Sequence, residues 1–442
     1  MLRQLAGVFT NQVMAAALGV VSAVFATRLL GPEQRGVVVV ALLMAGMIGA
    51  LAHMGLPYAV TYNVSRAREA RESALEESIA VILRMTPLIL ALTLVLYVAA
   101  YWLGRTTALR GITPVLVLSS ALLCVLYYAR MVVTNLFLGL HDFRWRNLIN
   151  IAQPALTAVA LVIYWLLRLP LTSMVVLWIY IGSTAFATVI GARQIVCAYR
   201  PKFGLSLPQE WKRDYVQYGL KFYAALVAQA LNYRLDTFLI NAMLGNAMVG
   251  LYSAGVTVAE LLLFVPGAVI QVFYPKAAAA TEEKREGITL LTLGASLYLV
   301  FGGSIALGLA LPWLIPLLYG HAFAGSIPAA LWLIPGMLAL TVVKILNHAV
   351  AGFGRPEYAT YTTFAGLAAT VALDVLLIPR YGIVGAAWAS TLAYSLSALV
   401  ILHLYMRLGR AGAGDVARRL VREPAVWFKE RWKGWSIALH SR

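Results

Sequence analysis

Long apolar stretches separated by short polar gaps dominate the pattern of this chain. Twelve stretches are long enough to cross a bilayer as a helix, which takes about 20 apolar residues. The runs are continuously apolar and do not alternate, so they predict helices and not the strands of a membrane barrel. The predicted helices occupy residues 5–27, 37–62, 79–103, 113–139, 147–167, 171–198, 217–241, 248–274, 288–311, 326–350, 358–378 and 383–406.

Composition supports this pattern. Hydrophobic residues make up 61% of the chain and charged residues 12%, whereas a soluble domain has about 45–50% and 25%. The predicted fold class is therefore an all-α polytopic membrane protein with about twelve transmembrane helices. The first apolar run lacks a convincing small-residue cleavage site, so we expect a retained helix and not a removed signal peptide.

The second half of the chain partly repeats the first. The gap sequence at 30–36, with glycines at its second and last positions, is echoed 214 residues later at 244–250. A second echo, 159–168 against 371–380, has an offset of 212 residues. Duplication of a polytopic chain is typical of transporters, because two similar halves can rock about a site held between them.

The repeat predicts two six-helix bundles related by a pseudo-two-fold axis along the membrane normal. The predicted parts are an N-terminal bundle at 1–198, a cytoplasmic linker at 199–216, a C-terminal bundle at 217–406 and a tail at 407–442. The tail interleaves basic residues with tryptophans, which favours an interfacial helix on the inner leaflet. A loosely ordered tail that only enforces topology is the alternative.

Lysine and arginine are distributed unequally between alternate gaps. One set of gaps, counted with Arg3 and the tail, holds 23 of these residues, and the other set holds six. Basic short loops stay in the cytoplasm, so both termini are predicted to lie inside a multi-pass cytoplasmic (inner) membrane protein. The net charge of +17 is therefore attributed to loops that face anionic membrane lipids, and no nucleic-acid partner is predicted.

Nine charged residues fall inside the predicted spans, where each costs about 2.5–3.5 kcal/mol at a helix centre. Arg84, Arg193 and Lys221 lie close to cytoplasmic helix ends, and we expect them to snorkel. The candidate site residues are, for substrate, Arg130, Arg234 and Lys344 with Arg28 as a gate, and, for coupling to H⁺ or Na⁺, Asp236, Glu260 and Asp374. Buried ion pairs that hold helices together are the alternative for the deeper charges.

The excess of bases over acids indicates the chemistry of the ligand. Six Lys or Arg against three acids lie within the predicted spans, and such a balance in a low-dielectric cavity favours an anion. Guanidinium groups match phosphate oxygens in pairs. We expect Arg130, Arg234 and Lys344 to line a water-filled space between the bundles.

Several enzyme and cofactor motifs are missing from the sequence. No lysine precedes a serine or threonine, so there is no Walker A loop, and HExxH, CxxC, GxSxG and Asp-x-Asp do not occur. Cys124 and Cys197 both lie in apolar runs and predict neither a disulfide nor a metal site. We therefore predict a protein that is not an enzyme and that needs no cofactor or metal.

Three stretches carry a family resemblance. Residues 28–36, then 234–236 with 244–254, and finally 352–356 with 378–387 resemble the pattern of Wzx-type polysaccharide flippases of the multidrug/oligosaccharidyl-lipid/polysaccharide exporter superfamily. The resemblance implies two six-helix bundles around a cationic cavity and movement of an undecaprenyl-diphosphate-linked oligosaccharide to the outer leaflet. Glycosyltransferases and a glycan polymerase are further candidate partners. The basic tail is not part of this pattern.

Two other functions stay open at this point. A multidrug or metabolite antiporter on the same fold is the first, although an exporter of organic cations would favour an acidic cavity. A membrane enzyme of glycan assembly is the second, and the missing motifs count against it.

Overall fold

The computed structural model describes residues 2–67, 71–104, 109, 112–204, 212–278 and 281–408. Helices account for nearly all of these residues, and none of them forms a strand. The α-helices are α1 (Leu2–Ala52), α2 (Leu56–Arg66), α3 (Arg71–Gly104), α4 (Pro114–Gly139), α5 (Phe143–Leu166), α6 (Ser173–Tyr199), α7 (Tyr218–Leu244), α8 (Asn246–Ala259), α9 (Phe264–Ala278), α10 (Glu282–Tyr319), α11 (Ile327–Gly352) and α12 (Glu357–Leu408).

The predicted fold class is confirmed. Nine helical segments of the described chain are long and apolar enough to cross a membrane. Of these, Glu357–Leu408 contains two predicted spans, and Val13–Ala52 covers parts of two. The predicted span 217–241 corresponds to α7, which is less apolar because it carries polar residues such as Arg234 and Asp236. All twelve predicted spans thus fall on described helices of a multi-pass membrane protein.

The first predicted gap is a kink and not a loop. Residues between the predicted helices 5–27 and 37–62 stay helical except at Gly31, whose φ is 72° and ψ 172°. Pro32 follows directly, and its fixed φ suits the first position of a new helix. Gly245 has nearly the same backbone, with φ 88° and ψ 177°. The sequence repeat is therefore also a repeat of backbone conformation.

Three other predicted boundaries differ from the structure. The predicted helix 37–62 is interrupted at Gly55, which has φ 76° and separates α1 from α2. The predicted helix 248–274 is interrupted by a 3₁₀ turn at Glu260–Leu263. The last two predicted spans are joined through a kink at Gly382, where φ is 59°. Glycine permits such positive φ values, and apolar periodicity alone does not reveal them.

The repeated glycines bring two helices into backbone contact. A Cβ atom at Gly36 would overlap the carbonyl oxygen of Asn246, and one at Gly250 would overlap that of Pro32. These four residues form two equivalent contacts, since Asn246 and Gly250 follow Pro32 and Gly36 by 214 residues. We call this reciprocal contact between α1 and α8 the repeat crossing. Small residues allow such close approach of membrane helices.

The chain divides into two compact units. The first unit comprises Met1–Ala254 and Leu318–Phe323, and the second comprises Gly255–Leu317 and Ala324–Arg442. Buried apolar side chains form a core in each unit, among them Phe137 in the first and Leu346 in the second. The domain boundaries inferred from the sequence repeat stay a prediction. Of the predicted tail, residues 409–442 lie outside the described residues.

Candidate functional site

Arg130 lies inside the apolar helix α4. The helix begins after Thr113, whose side chain accepts a hydrogen bond from the amide of Leu116 at 3.4 Å. Arg130 is half-buried and interacts electrostatically with Tyr127, one turn earlier. Within the described part of the chain, no carboxylate forms an ion pair with it. The predicted candidate is therefore an arginine inside an apolar helix, and no carboxylate of the described residues is paired with it.

Two tyrosines, Tyr127 and Tyr180, lie between Arg130 and a second arginine, Arg35. Tyr127 lies near Tyr180 of α6, Tyr180 lies near Arg35 of α1, and Arg35 lies near Tyr319 at the end of α10. All five residues belong to the first unit. We call the series Arg130, Tyr127, Tyr180, Arg35 and Tyr319 the Arg–Tyr track.

Arg35 was not among the predicted site residues, because the sequence places it in a gap between two apolar runs. In the structure it lies in the first turn after Pro32, with only 7% of its surface exposed. The sequence does contain a signal that position 35 is unusual. The equivalent residue of the second repeat is Val249, so a cation replaces an apolar residue at a duplicated position.

Arg234 and Asp236 interact electrostatically in α7, although they are only two residues apart. Asp236 is 4% exposed and accepts a hydrogen bond of 2.6 Å from the Tyr252 hydroxyl of α8. Its other oxygen accepts bonds from the amide and the hydroxyl of Thr237, at 2.6 and 3.1 Å. The bond from Tyr252 ties α7 to α8, while the predicted coupling role of Asp236 stays a prediction.

Lys344 and Glu260 form the corresponding group in the second unit. Glu260 begins the 3₁₀ turn that interrupts the α8–α9 span, and it interacts electrostatically with the half-buried Lys344 of α11. A short 3₁₀ segment inside a helical span often marks a hinge. The structure thus brings together a predicted substrate residue and a predicted coupling residue.

The remaining candidate residues, Arg28 and Asp374, differ from each other in solvent exposure. Arg28 is exposed in α1 shortly before the kink. Asp374 is fully buried in the first part of α12. Cys124 and Cys197 are both free thiols. Among the described residues, no group of three or more His, Cys, Asp or Glu is placed to hold a metal ion.

The described chain is a multi-pass membrane protein with basic side chains inside its apolar helices and a reciprocal glycine contact between α1 and α8. The family described as "Polysaccharide biosynthesis protein" matches residues 2–280, and the chain belongs to this family. The match confirms the resemblance found in the sequence. A search of curated proteins found no match.

Solved structures with the same fold are transporters. An inward-facing multidrug resistance MATE family transporter of the MOP superfamily superposes with a TM-score of 0.73 at 16% identity, over 89% of this chain and 94% of that one. The lipid II flippase MurJ, in an inward closed conformation, superposes with a TM-score of 0.71 at 12% identity, over 94% of this chain and 90% of that one. A MOP superfamily transporter from Pyrococcus furiosus is described as having a binding pocket of reversed polarity. It superposes with a TM-score of 0.63 at 14% sequence identity, over 92% of this chain and 95% of that one. Identities this low show the fold alone.

Proposed function

We propose that the protein is a flippase that moves a lipid-diphosphate-linked oligosaccharide across the cytoplasmic membrane by alternating access. The carrier lipid is an undecaprenyl diphosphate, as in the family that the sequence resembles. Both termini are cytoplasmic, and glycosyltransferases and a glycan polymerase supply and consume the glycan. The family match and the likeness in fold to a lipid II flippase support this assignment.

The observation that carries the proposal is the half-buried Arg130 without a carboxylate partner among the described residues. A guanidinium in a membrane helix costs about 2.5–3.5 kcal/mol, and a bound diphosphate would offset that cost through paired, charge-assisted hydrogen bonds. The neighbouring Tyr127 presents an aromatic face and a hydroxyl, which suit a sugar. Arg130 therefore favours an anionic sugar carrier over an organic cation.

The other basic candidates take related roles in this proposal. Arg234 and Lys344 are proposed to bind the anionic cargo as Arg130 does, and the exposed Arg28 is proposed to serve as a gate. Arg234 and Lys344 each interact with an acid, Asp236 and Glu260. An acid beside a substrate-binding base can release that base to the diphosphate when the acid takes up a cation. The same pairs could thus couple substrate binding to ion binding.

A binding experiment tests the proposed substrate class. Purified protein in phosphate-free detergent should retain an undecaprenyl-diphosphate-linked oligosaccharide at least tenfold more tightly than undecaprenol, because only the former carries the anion and the sugars. Undecaprenyl diphosphate without sugar should fall between the two. Equal retention of undecaprenol would contradict the proposal, as would tighter binding of an organic cation such as rhodamine 6G, which would favour a multidrug antiporter.

Energy coupling is predicted to depend on Glu260. In proteoliposomes that hold the lipid-linked glycan, an imposed proton or sodium gradient should change the flipping rate by several-fold. Replacing Glu260 with glutamine should abolish that dependence, because the amide keeps the shape but cannot take up a proton and binds cations weakly. Glu357→Gln is the matched control, since this glutamate lies on the surface in an ion pair with Arg355. If flipping ignores both gradients and the membrane potential, the protein is an uncoupled facilitator.

Topology follows from the unequal distribution of basic residues between the gaps. In a protein without Cys124 and Cys197, a cysteine at exposed Arg66 should react with impermeant reagents only from the cytoplasmic side. A cysteine at exposed Arg168 should react only from outside. Equal labelling of both cysteines in intact cells would contradict the predicted orientation.

A further inference from the structure

We propose that Arg35, with the hydroxyls of Tyr180 and Tyr319, forms a second anion subsite that holds a phosphate or diphosphate group at the far end of the Arg–Tyr track from Arg130. The inference rests on the proposed function, because it assigns an exit position to the same anionic cargo.

Among the described residues, no carboxylate compensates the charge of the buried Arg35. This residue is 7% exposed, its Nε atom has no hydrogen-bond partner in that part of the chain, and its electrostatic neighbours there are the tyrosines Tyr180 and Tyr319. An arginine stays charged at all accessible pH values. A buried, unpaired charge is strongly destabilising. An oxyanion that enters the site would remove this cost.

The internal repeat shows that the helix crossing itself needs no charge here. Val249 occupies the equivalent position in the second repeat and is fully buried. The glycines that follow, Gly36 and Gly250, make the same backbone contact in both repeats. One repeat thus builds its half of the repeat crossing with valine. The arginine in the other repeat therefore serves a purpose other than packing.

The chemistry of the three side chains suits a phosphate group. The guanidinium of Arg35 offers five N–H donors in a planar fork that matches two oxygens of a phosphate. Tyr180 and Tyr319 come from two other helices and each add a hydroxyl donor. Tyr319 is 3% exposed and is held by Phe323, with ring centroids 5.9 Å apart. The two hydroxyls come from α6 and α10, and both tyrosines interact electrostatically with Arg35 of α1.

The charge pattern predicts different membrane depths for the two arginines. Arg35 lies in the first turn of the helical segment that begins at Pro32, at the end that the charge pattern predicts to be outer. Arg130 lies nine residues before the last residue of α4, Gly139, about 14 Å from the opposite end at 1.5 Å per residue. A cargo bound first at Arg130 could be passed to Arg35. Two sites of moderate affinity release the cargo more readily than a single site of high affinity, as in ion channels.

The test measures anion binding separately from transport. Purified protein is titrated with inorganic pyrophosphate in phosphate-free detergent, and the dissociation constant is compared among variants. Arg35→Val, which copies the second repeat, should weaken one class of pyrophosphate site at least tenfold, and Arg35→Lys should weaken it less. Arg168→Gln, which removes an exposed arginine at the predicted outer side, should bind like the wild type. Wild-type affinity in folded Arg35→Val would overturn the subsite.

A second pair of variants keeps the test decisive if Arg35→Val does not fold. Tyr180→Phe and Tyr319→Phe keep the rings and remove only the hydroxyls, and the double variant should weaken the same site several-fold. Unchanged pyrophosphate binding in the folded double variant would overturn the proposal.

Nanodiscs with and without phosphatidylglycerol separate the two sources of phosphate. If phosphatidylglycerol displaces pyrophosphate in the wild type but not in Arg35→Val, the subsite holds a lipid headgroup.

Failure of this inference and failure of the proposed function are distinguishable. If Arg35 variants bind pyrophosphate normally while an Arg130 variant loses flipping, the flippase assignment stands and the subsite falls. If Arg35→Val loses pyrophosphate binding but the wild type moves no lipid-linked glycan, the anion subsite stands and the proposed cargo falls.

Discussion

Replacing Arg234 with glutamine is expected to lower the rate of glycan transport by a factor of ten or more without loss of folded protein. Hydrogen bonds to charged groups contribute about 1.5–3 kcal/mol each, and each 1.4 kcal/mol corresponds to roughly tenfold in affinity. Asp236 keeps its hydrogen bonds from Tyr252 and Thr237 in this variant, so the contact between α7 and α8 survives. The loss should therefore appear in transport and not in expression.

The matched control for this prediction is Arg193→Gln. Arg193 also lies in an apolar helix, α6, but it is exposed on the helix surface, and we expect transport to stay within twofold of the wild type. The measurement is export of the glycan in cells that lack the native protein, normalised to the amount of folded transporter. Wild-type export by Arg234→Gln would remove this arginine from the proposed path.

Replacing Gly36 with alanine is expected to lower the stability of the protein by about 1–3 kcal/mol, as overpacking does elsewhere. A Cβ at this position would overlap the carbonyl oxygen of Asn246, and backbone cannot move aside as a flexible side chain can. Gly250→Ala should have a similar effect, because its Cβ would overlap the backbone of Pro32. The measurement is the apparent unfolding temperature in detergent.

Gly46→Ala is the control in the same helix, since a Cβ there has open space. Alanine is a better helix former than glycine by about 1 kcal/mol, so this variant should be as stable as the wild type or slightly more stable. The Gly36→Ala/Gly250→Ala double variant should lose less than the sum of the single losses, because both act on one contact. Unchanged stability of both single variants would contradict the repeat crossing.

The arrangement of spans could be predicted because membrane helices are read directly from runs of apolar residues. The duplication was also visible, since glycines at 31 and 36 recur at 245 and 250. The structural roles of these glycines could not be predicted from the sequence. Whether Gly31 opens a loop or kinks a helix depends on its φ, and the close approach of Gly36 to Asn246 depends on the partner helix, which hydropathy does not specify.

The candidate site was predicted in part. The cost of charge in a membrane indicates that Arg130, Arg234 and Lys344 must be compensated, but it does not name the compensating group. Arg35 escaped detection because an arginine between apolar runs normally faces water. Its burial arises from the tertiary packing of the kinked α1. Only comparison with Val249 in the second repeat would have indicated an unusual position.

Reconstituted flipping tests the central claim most directly. Proteoliposomes are prepared with an undecaprenyl-diphosphate-linked oligosaccharide, and an impermeant pyrophosphatase added outside reports the fraction that reaches the outer leaflet over time. The account predicts that the wild-type protein makes the inner pool accessible much faster than empty vesicles do, and that Arg234→Gln slows this at least tenfold. If wild-type vesicles behave like empty ones while an organic cation is transported, the flippase assignment is wrong.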